Sequence, residues 1–341
     1  MDLEEISSFE AVKPYWDELN HTYKRDELAV DWAIHQQIWA QFYQPKGYSL
    51  KILAGFEKNR CVGIFPFKYM TAPDQPSSQW AFGEEALISR EYFCLPDKLH
   101  QFEPYLPPHP ANDLSCFYVP AQPQGFSRYP GGIIDLKDSV ESYLASLNKK
   151  KRHALTHNAR ENADVAVQID RRIRDEEIRE LTEKYLRYWQ IKSALSETSK
   201  DVDSYEKIMI DFYLLRRAEE MGKLIAIYFY VEGQLAAVNF AIRRESDRVD
   251  DYLCLRDTDE KYAHRGLGNY AIWVNMNHCR QLGIRYYDLS DFPAEYKRKF
   301  INTEMFYYGF AKPEAASAAT EAAGVTVATE AAQSQIYQKV G

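Results

Sequence analysis

The stretch Tyr262 to Phe310, YAHRGLGNYAIWVNMNHCRQLGIRYYDLSDFPAEYKRKFINTEMFYYGF, decides how this chain is read. It parses as loop, helix, strand, short helix and strand. Gly266 and Gly268 open an amphipathic segment that runs to about Leu282, and Gly283 ends it, because glycine past a helix terminus accepts positive φ at little steric cost. The β-rich run Ile284 to Leu289 follows, with Asp288 near its end and Asp291 just beyond. A glycine loop feeding a helix presents unpaired backbone N–H groups and the positive end of the helix dipole, an arrangement suited to a phosphate or pyrophosphate. Two glycines ahead of a helix are common, however, so the weight of this reading comes from what surrounds the loop.

Immediately upstream lie three short β-rich runs, Lys223 to Val231, Leu235 to Arg243 and Val249 to Arg256, joined by the polar turns EGQ and RESDR, which reads as an antiparallel meander. Two long amphipathic helices precede it. The first, Glu176 to Ile191, carries Ile178, Leu181, Tyr185 and Trp189, and the second, Val202 to Met221, carries Tyr205, Ile208, Phe212 and Leu215. The polar KSALSETSKD between them is a linker. Asp164 to Ile169 reads as a strand with Val165, Val167 and Ile169 on one face. Ahead of it, Asn148 to Asn162 (NKKKRHALTHNAREN) puts Lys149, Lys150, Lys151, Arg152, His153, His157 and Arg160 on one helix. This is either a solvated basic face or a cationic patch for a phosphate-bearing ligand. His153 and His157 have a spacing that could share a metal, but no third ligand accompanies them and no metal is expected.

The first part of the chain is mixed. Phe9 to His21 and Leu28 to Tyr43 have helical spacing. Ser49 to Phe56 and Cys61 to Tyr69 form a hairpin over EKNR, and Trp80 to Gly83 and Leu114 to Val119 read as further strands. Proline-rich connections, Pro73 to Ser78 and Pro104 to Pro110, lie between them. A boundary falls in Pro120 to Gly132, where proline and glycine concentrate; after it come a short strand, Gly132 to Leu136, and a helix, Ser139 to Leu147, capped by Asp138 or Ser139. The expected division is 1–125, 126–311, and an Ala-rich tail, 312–341, too poor in apolar residues to bury a face and expected to be disordered.

At 341 residues the chain is long enough for two moderate cores, and its net charge of −8 disfavours a global grip on nucleic acid. Cys61, Cys94, Cys116, Cys254 and Cys279 show no CxxC pair and no zinc spacing, so reduced thiols in a cytoplasmic protein are expected. The N-terminus lacks the basic and apolar regions of a signal peptide, and no run approaches the ~20 apolar residues of a membrane span.

The order of meander, glycine loop, helix, strand, short helix and strand resembles the GNAT acyltransferase fold, and more narrowly the CelD/BcsL-type acetyltransferases, themselves similar to the FemAB-like tandem GNAT proteins. The residues that carry the likeness are Ser146 to Asn162, Glu219 to Ile242 and Tyr287 to Phe300 (YDLSDFPAEYKRKF). Leu50 to Met70 reads more weakly as the hairpin of a first GNAT-like half. The resemblance implies an α/β fold of two GNAT-like halves, each a mixed, mainly antiparallel sheet flanked by helices. It also implies an acyl-CoA-dependent N-acyltransferase that moves an acyl group from acetyl-CoA or another acyl-CoA to an amine on a small molecule or polymer. Arg265, Gly266, Leu267, Gly268 and Asn269 would hold the donor pyrophosphate. The family loop, (Q/R)xxGx(G/A), begins here with Ala263, and Arg265 is shifted from that place. Two other readings stay open: a FemAB-like transferase that uses aminoacyl-tRNA, with the basic run engaging RNA, and a non-catalytic binding or scaffold protein whose donor loop has degenerated.

Transfer from a thioester to an amine needs a deprotonated acceptor nitrogen, a stabilised oxyanion and a protonated leaving thiolate. By resemblance, Tyr296 on the short helix is the proton donor. Asp250, Asp251, Asp288 and Asp291 are candidate bases, with Asp250 and Asp288 preferred. Adjacent strand residues face opposite ways, so at most one of Asp250 and Asp251 enters a cleft. Lys149, Arg152 and Lys297 are the candidate substrate-binding cations. No cysteine has a visible basic partner, so a thiol nucleophile is not expected.

Overall fold

The computed structural model of the chain describes residues 1–23, 28, 31–72, 75–80, 94–95, 98–102, 116–118, 127–195, 204–244, 247–291, 295–303 and 306–309. The expected tail, 312–341, lies outside them.

Four antiparallel strands form the first sheet in the order β1 (Asp2–Ile6), β2 (Ser49–Glu57), β3 (Arg60–Ala72) and β4 (Gln75–Trp80). The predicted hairpin is β2–β3. Its turn residues Lys58 and Asn59 both take positive φ, 49° and 63°, the backbone twist that matches two right-handed strands. Two elements differ from expectation. The acidic DLEEI forms β1 because it completes the free edge of β2, which no periodicity in its own sequence announces. Residues 75–78, read as part of a proline-rich connection, extend the sheet instead as β4, which ends at Trp80, the first residue of the strand expected over 80–83; 81–83 lie outside the described residues. Helix α1 (Phe9–Tyr23) matches expectation, whereas α2 (Trp32–Ile38) starts later than Leu28. Asp31 caps α2 by accepting from Ile34 N at 3.1 Å, and a π-helical turn, Trp39–Tyr43, follows. A short helix, α3 (Leu99–Phe102), lies against this sheet through the fully buried Phe102.

The second sheet holds β5 (Cys116–Tyr118), β6 (Ser127–Asp135), β7 (Ala166–Asp170), β8 (Leu224–Val231), β9 (Gln234–Arg243), β10 (Arg248–Arg256), β11 (Tyr286–Asp291) and β12 (Phe306–Gly309), in the order β5-β12-β6-β11-β10-β9-β8-β7. Among the described residues only β10 and β11 run parallel. Strand β6 passes through the proline and glycine cluster read from the sequence as a boundary. It pairs with β12 up to Pro130 and with β11 from Gly131 onward, so the proline, which has no N–H to offer, sits where the strand changes partner. Helices α4 (Val140–Ser146), α5 (Lys149–Glu161), α6 (Asp175–Leu195), α7 (Ser204–Glu220), α8 (Glu260–Ala263), α9 (Leu267–Gln281) and α10 (Glu295–Arg298) complete the chain. The expected linker after Ile191 begins later, because α6 continues to Leu195.

Strand β8, LIAIYFYV, is apolar throughout because both faces are covered. Leu224, Ala226 and Tyr228 join Val238, Phe240 and Ile242 in a core that also contains α6, α7, α1, α2 and the first sheet. Ile225, Ile227 and Phe229 face a second core built with α4, α5, α9 and β11. Ile169, read as sharing a face with Val165 and Val167, is 42% exposed because β7 is the edge of the sheet. The chain is therefore an α/β fold with mixed, mainly antiparallel sheets flanked by helices, as its sequence predicts.

Candidate functional site

The parallel ladder between β10 and β11 has three rungs, Arg248 with Tyr286, Val249 with Tyr287 and Asp250 with Asp288. Beyond them β10 bulges. Asp251 opposes Ala241 and Leu253 opposes Phe240, which leaves Tyr252 as an extra residue in the strand. The bulge reverses which residues face which side: Val249 belongs to the α9-side core, whereas Leu253 and Leu255 belong to the α6/α7-side core. The two parallel strands thus stop pairing where one of them turns its side chains over, and this interruption of the ladder is the gap between them.

Asp251 lies at this gap. Its Oδ1 accepts from Asn239 Nδ2 of β9 at 2.9 Å and from Tyr287 OH of β11 at 2.9 Å, and its Oδ2 accepts from Lys297 Nζ of α10 at 3.1 Å. Lys297 also donates to Leu289 O at 3.2 Å. Behind Asn239, Asn275 Nδ2 of α9 donates to Asn239 Oδ1 at 2.5 Å. Donors from three elements, β9, β11 and α10, converge on one largely buried carboxylate, and α9 supports it through Asn239. Burial, and next the Asp251 charge, raise the Tyr287 phenol well above its ordinary range, so it stays a hydrogen-bond donor. The same two causes push the Cys254 thiol to about 11, and burial pushes Cys279 to about 12. Both thiols stay protonated, which does not suit a nucleophile.

Asp250 and Asp288 lie on the paired side of the gap. Asp250 Oδ2 accepts from Arg244 Nε at 2.7 Å, and Asp288 Oδ2 accepts from Arg248 Nη2; both carboxylates are buried. Two aspartates and two arginines thus tie the start of the parallel ladder. Tyr252 OH donates to Asp211 of α7, on the opposite side of the sheet from Asp251. Tyr296 lies on α10, next to Lys297, and its side chain is outside the described residues, as is that of Asp291.

The glycine loop closes the other end of the site. Gly266, φ +61°, precedes α9, and no side chain caps the helix there. A methyl group on Gly266 would stand 3.0 Å from Asn158 Nδ2, whereas one on Gly268 would meet nothing within 4 Å. Asn158 and Asn162 of α5 donate to Arg265 O at 3.0 and 2.9 Å and thereby fix the loop against the basic helix. Asn269 Oδ1 is buried with no hydrogen-bond partner among the described residues. The Arg265 guanidinium is held by Asp164, Nη1 to Oδ1 at 2.7 Å, and does not cap the helix; this contact holds the Asp164 carboxyl below its usual range. The loop thus offers backbone donors and open space over Gly268, and a diphosphate fits its chemistry.

Helix α5 links the two ends. Its first turn carries Lys149, Lys150, Lys151 and Arg152, and Lys151 Nζ donates to Arg298 O of α10 at 3.2 Å. His153 and His157 have ring centroids 5.8 Å apart, and His157 Nδ1 lies 3.1 Å from Glu161. Among the described residues no group of three metal-ligating side chains gathers, and no helix is long and apolar enough to cross a membrane. The structure brings together Lys297, Asp251, Tyr287, Asn239 and Asn275. The two asparagines were not singled out from sequence. Their signal was present, a lone amide within the buried apolar strand LAAVNFAI and another within the buried face of α9.

No curated protein matches the chain. Among solved structures it is similar to FemX, at 9% identity and TM-score 0.48, covering 92% of this chain and 98% of that one. It is also similar to L-PGS from Bacillus licheniformis, at 11% identity and TM-score 0.44, covering 88% and 92%. A tandem GNAT protein from the clavulanic acid biosynthesis pathway is similar at 11% identity and TM-score 0.40, covering 92% and 99%. Residues 148–298, from the cap of α5 to the end of α10 and so containing the whole of this site, match the family model described as the acetyltransferase (GNAT) domain.

Proposed function

We propose that the chain is an acyl-CoA-dependent N-acyltransferase of the CelD/BcsL type. The observation that carries this reading is the pairing, inside the segment that matches the acetyltransferase domain, of an uncapped α9 N-terminus with a gap between β10 and β11 lined by Asp251. The donor diphosphate sits on the backbone N–H groups of Gly266, Leu267 and Gly268, whereas the Asn269 N–H already donates to Gly266 O at 2.9 Å. The thioester lies in the gap, where the acceptor amine attacks its carbonyl carbon and the C–S bond breaks.

Of the three candidate aspartates whose side chains are described, Asp250, Asp251 and Asp288, we assign proton removal from the amine to Asp251, since Arg244 and Arg248 hold Asp250 and Asp288. Lys297 keeps the Asp251 carboxylate oriented, while Asn239 and Tyr287 fix its other oxygen. Tyr296, one residue from Lys297, gives its phenolic proton to the leaving thiolate.

The test is an assay for free CoA thiol with acetyl-CoA and longer acyl-CoAs against a panel of primary amines. Amine-dependent thiol release is expected, lowered about 100-fold or more by Asp251→Asn. Thiol release unaffected by Asp251→Asn would refute the assignment of the base.

A further inference from the structure

We infer that the first turn of α5 and the end of α10 form a binding surface for phosphate groups on the acceptor substrate, an inference that rests on the acyltransferase reading for the word acceptor. Lys149, Lys150, Lys151 and Arg152 occupy the first four positions of α5, and the Lys151 contact with the Arg298 carbonyl brings Arg298 beside them. Lys149, Lys150, Arg152 and Arg298 are exposed. None of the five forms an ion pair among the described residues. By contrast, Arg174, Lys184, Arg216 and Arg217 each reach two carboxylates.

The placement also opposes the helix's own electrostatics. Cations at a helix N-terminus meet the positive end of the dipole, and α6, by contrast, begins with Asp175, Glu176 and Glu177. The first turn of α5 contains no acid. A local rule broken four times in succession, compensated among the described residues by two backbone carbonyls, Arg298 O for Lys151 and Leu147 O for Arg152, and by no carboxylate, is expected where an external anion supplies the compensation. Several closely spaced phosphate oxygens would satisfy both the side chains and the helix terminus.

Position decides between donor and acceptor. The donor loop meets the other end of α5, through Asn158 and Asn162. Lys149 lies nine residues before Asn158, roughly 13 Å along the helix axis. The cationic turn instead adjoins α10, whose Lys297 reaches Asp251. Phosphates held there belong to the molecule that enters the gap from the side opposite the glycine loop.

The experiment titrates inorganic tripolyphosphate into the full chain and into Lys149→Glu/Lys150→Glu/Arg152→Glu, alongside acetyl-CoA and a polyglutamate of matched charge. The wild type is expected to bind tripolyphosphate, with affinity falling as salt rises; the triple variant is expected to bind it about tenfold or more weakly and with a flatter salt dependence. The thermal midpoint of the variant should be unchanged or higher, since the new glutamates suit the helix terminus. Acetyl-CoA affinity should be the same in both proteins. Equal tripolyphosphate affinity in the two proteins, or polyglutamate binding as tight as tripolyphosphate, would overturn the phosphate site. An equal loss of acetyl-CoA affinity would reassign it to the donor. If the wild type binds tripolyphosphate but no acyl-CoA, the surface stands and the acyltransferase reading fails.

Discussion

Lys297 Nζ and Asp251 Oδ2 stand 3.1 Å apart and join α10 to β10 across the gap left where β10 and β11 cease to pair. Their side chains are 18% and 9% exposed, so each contributes to the other's compensation for lost hydration, beside Asn239 and Tyr287 on Asp251 and Leu289 O on Lys297. Replacing Lys297 with Ala leaves a mostly buried carboxylate one donor short and should cost about 1–3 kcal/mol in urea unfolding. Asp251→Asn keeps the shape and the contact with Tyr287. It should therefore lower activity far more than stability, and a comparison of the two variants by denaturation and by thiol release checks that separation.

Two glycines one residue apart should behave oppositely. Gly266→Ala places a methyl group on a residue at φ +61° and 3.0 Å from Asn158 Nδ2. It should cost roughly 1 kcal/mol and loosen the contact between Asn158 and Arg265. Gly268→Ala meets nothing within 4 Å and should leave stability unchanged or slightly improved. If the diphosphate lies over Gly268, that same substitution should still weaken acetyl-CoA binding. Thermal melts paired with acetyl-CoA titrations of the two variants give the result.

The contrast shows what the sequence could and could not reveal. The succession of meander, glycine loop and helix was legible because period, turn residues and helix stops are local properties; Gly283 after the helix takes the expected positive φ, and Glu232 and Gly233 in the EGQ turn take positive φ as well. The choice between Asp250 and Asp251 was not legible. Strand alternation says that the two point opposite ways, but the bulge at Tyr252 depends on register against β9, which is a tertiary property. β1 was hidden for a similar reason, since DLEEI becomes a strand only by pairing with β2. The basic run was visible as a charge reversal, whereas its tie to α10 through Lys151 links residues 147 positions apart.

Asp135 predicts a pH dependence. Burial raises its pKa, but the Arg285 side chain and the Lys137 backbone N–H outweigh that and hold the carboxyl below its ordinary value. A carboxylate depressed on folding contributes stability that is fully present above the ordinary value of about 4 and is lost as pH falls through the folded one. Asp135→Asn should therefore be less stable than wild type near neutrality, and the difference should shrink as pH falls below about 4. Urea midpoints across that range are the measurement.

Arg217 of α7 donates to both oxygens of Asp31, at 3.2 and 3.0 Å, and so ties the cap of α2 to the second sheet's helices. Asp31→Ala removes the helix cap and the ion pair together and should cost about 1–3 kcal/mol, whereas Arg217→Met keeps the cap, removes the pairs with Asp31 and the exposed Glu220, and should cost less. Thermal melts of the two variants should rank them in that order.

The central claim, that the N-terminus of α9 holds the diphosphate of an acyl-CoA, is tested most directly by calorimetric titration of acetyl-CoA into the wild type and into Gly266→Trp. The wild type should bind one equivalent, and the folded variant should lose that binding. A folded wild type that takes up no acyl-CoA, or a variant that binds it with unchanged affinity, would contradict the claim.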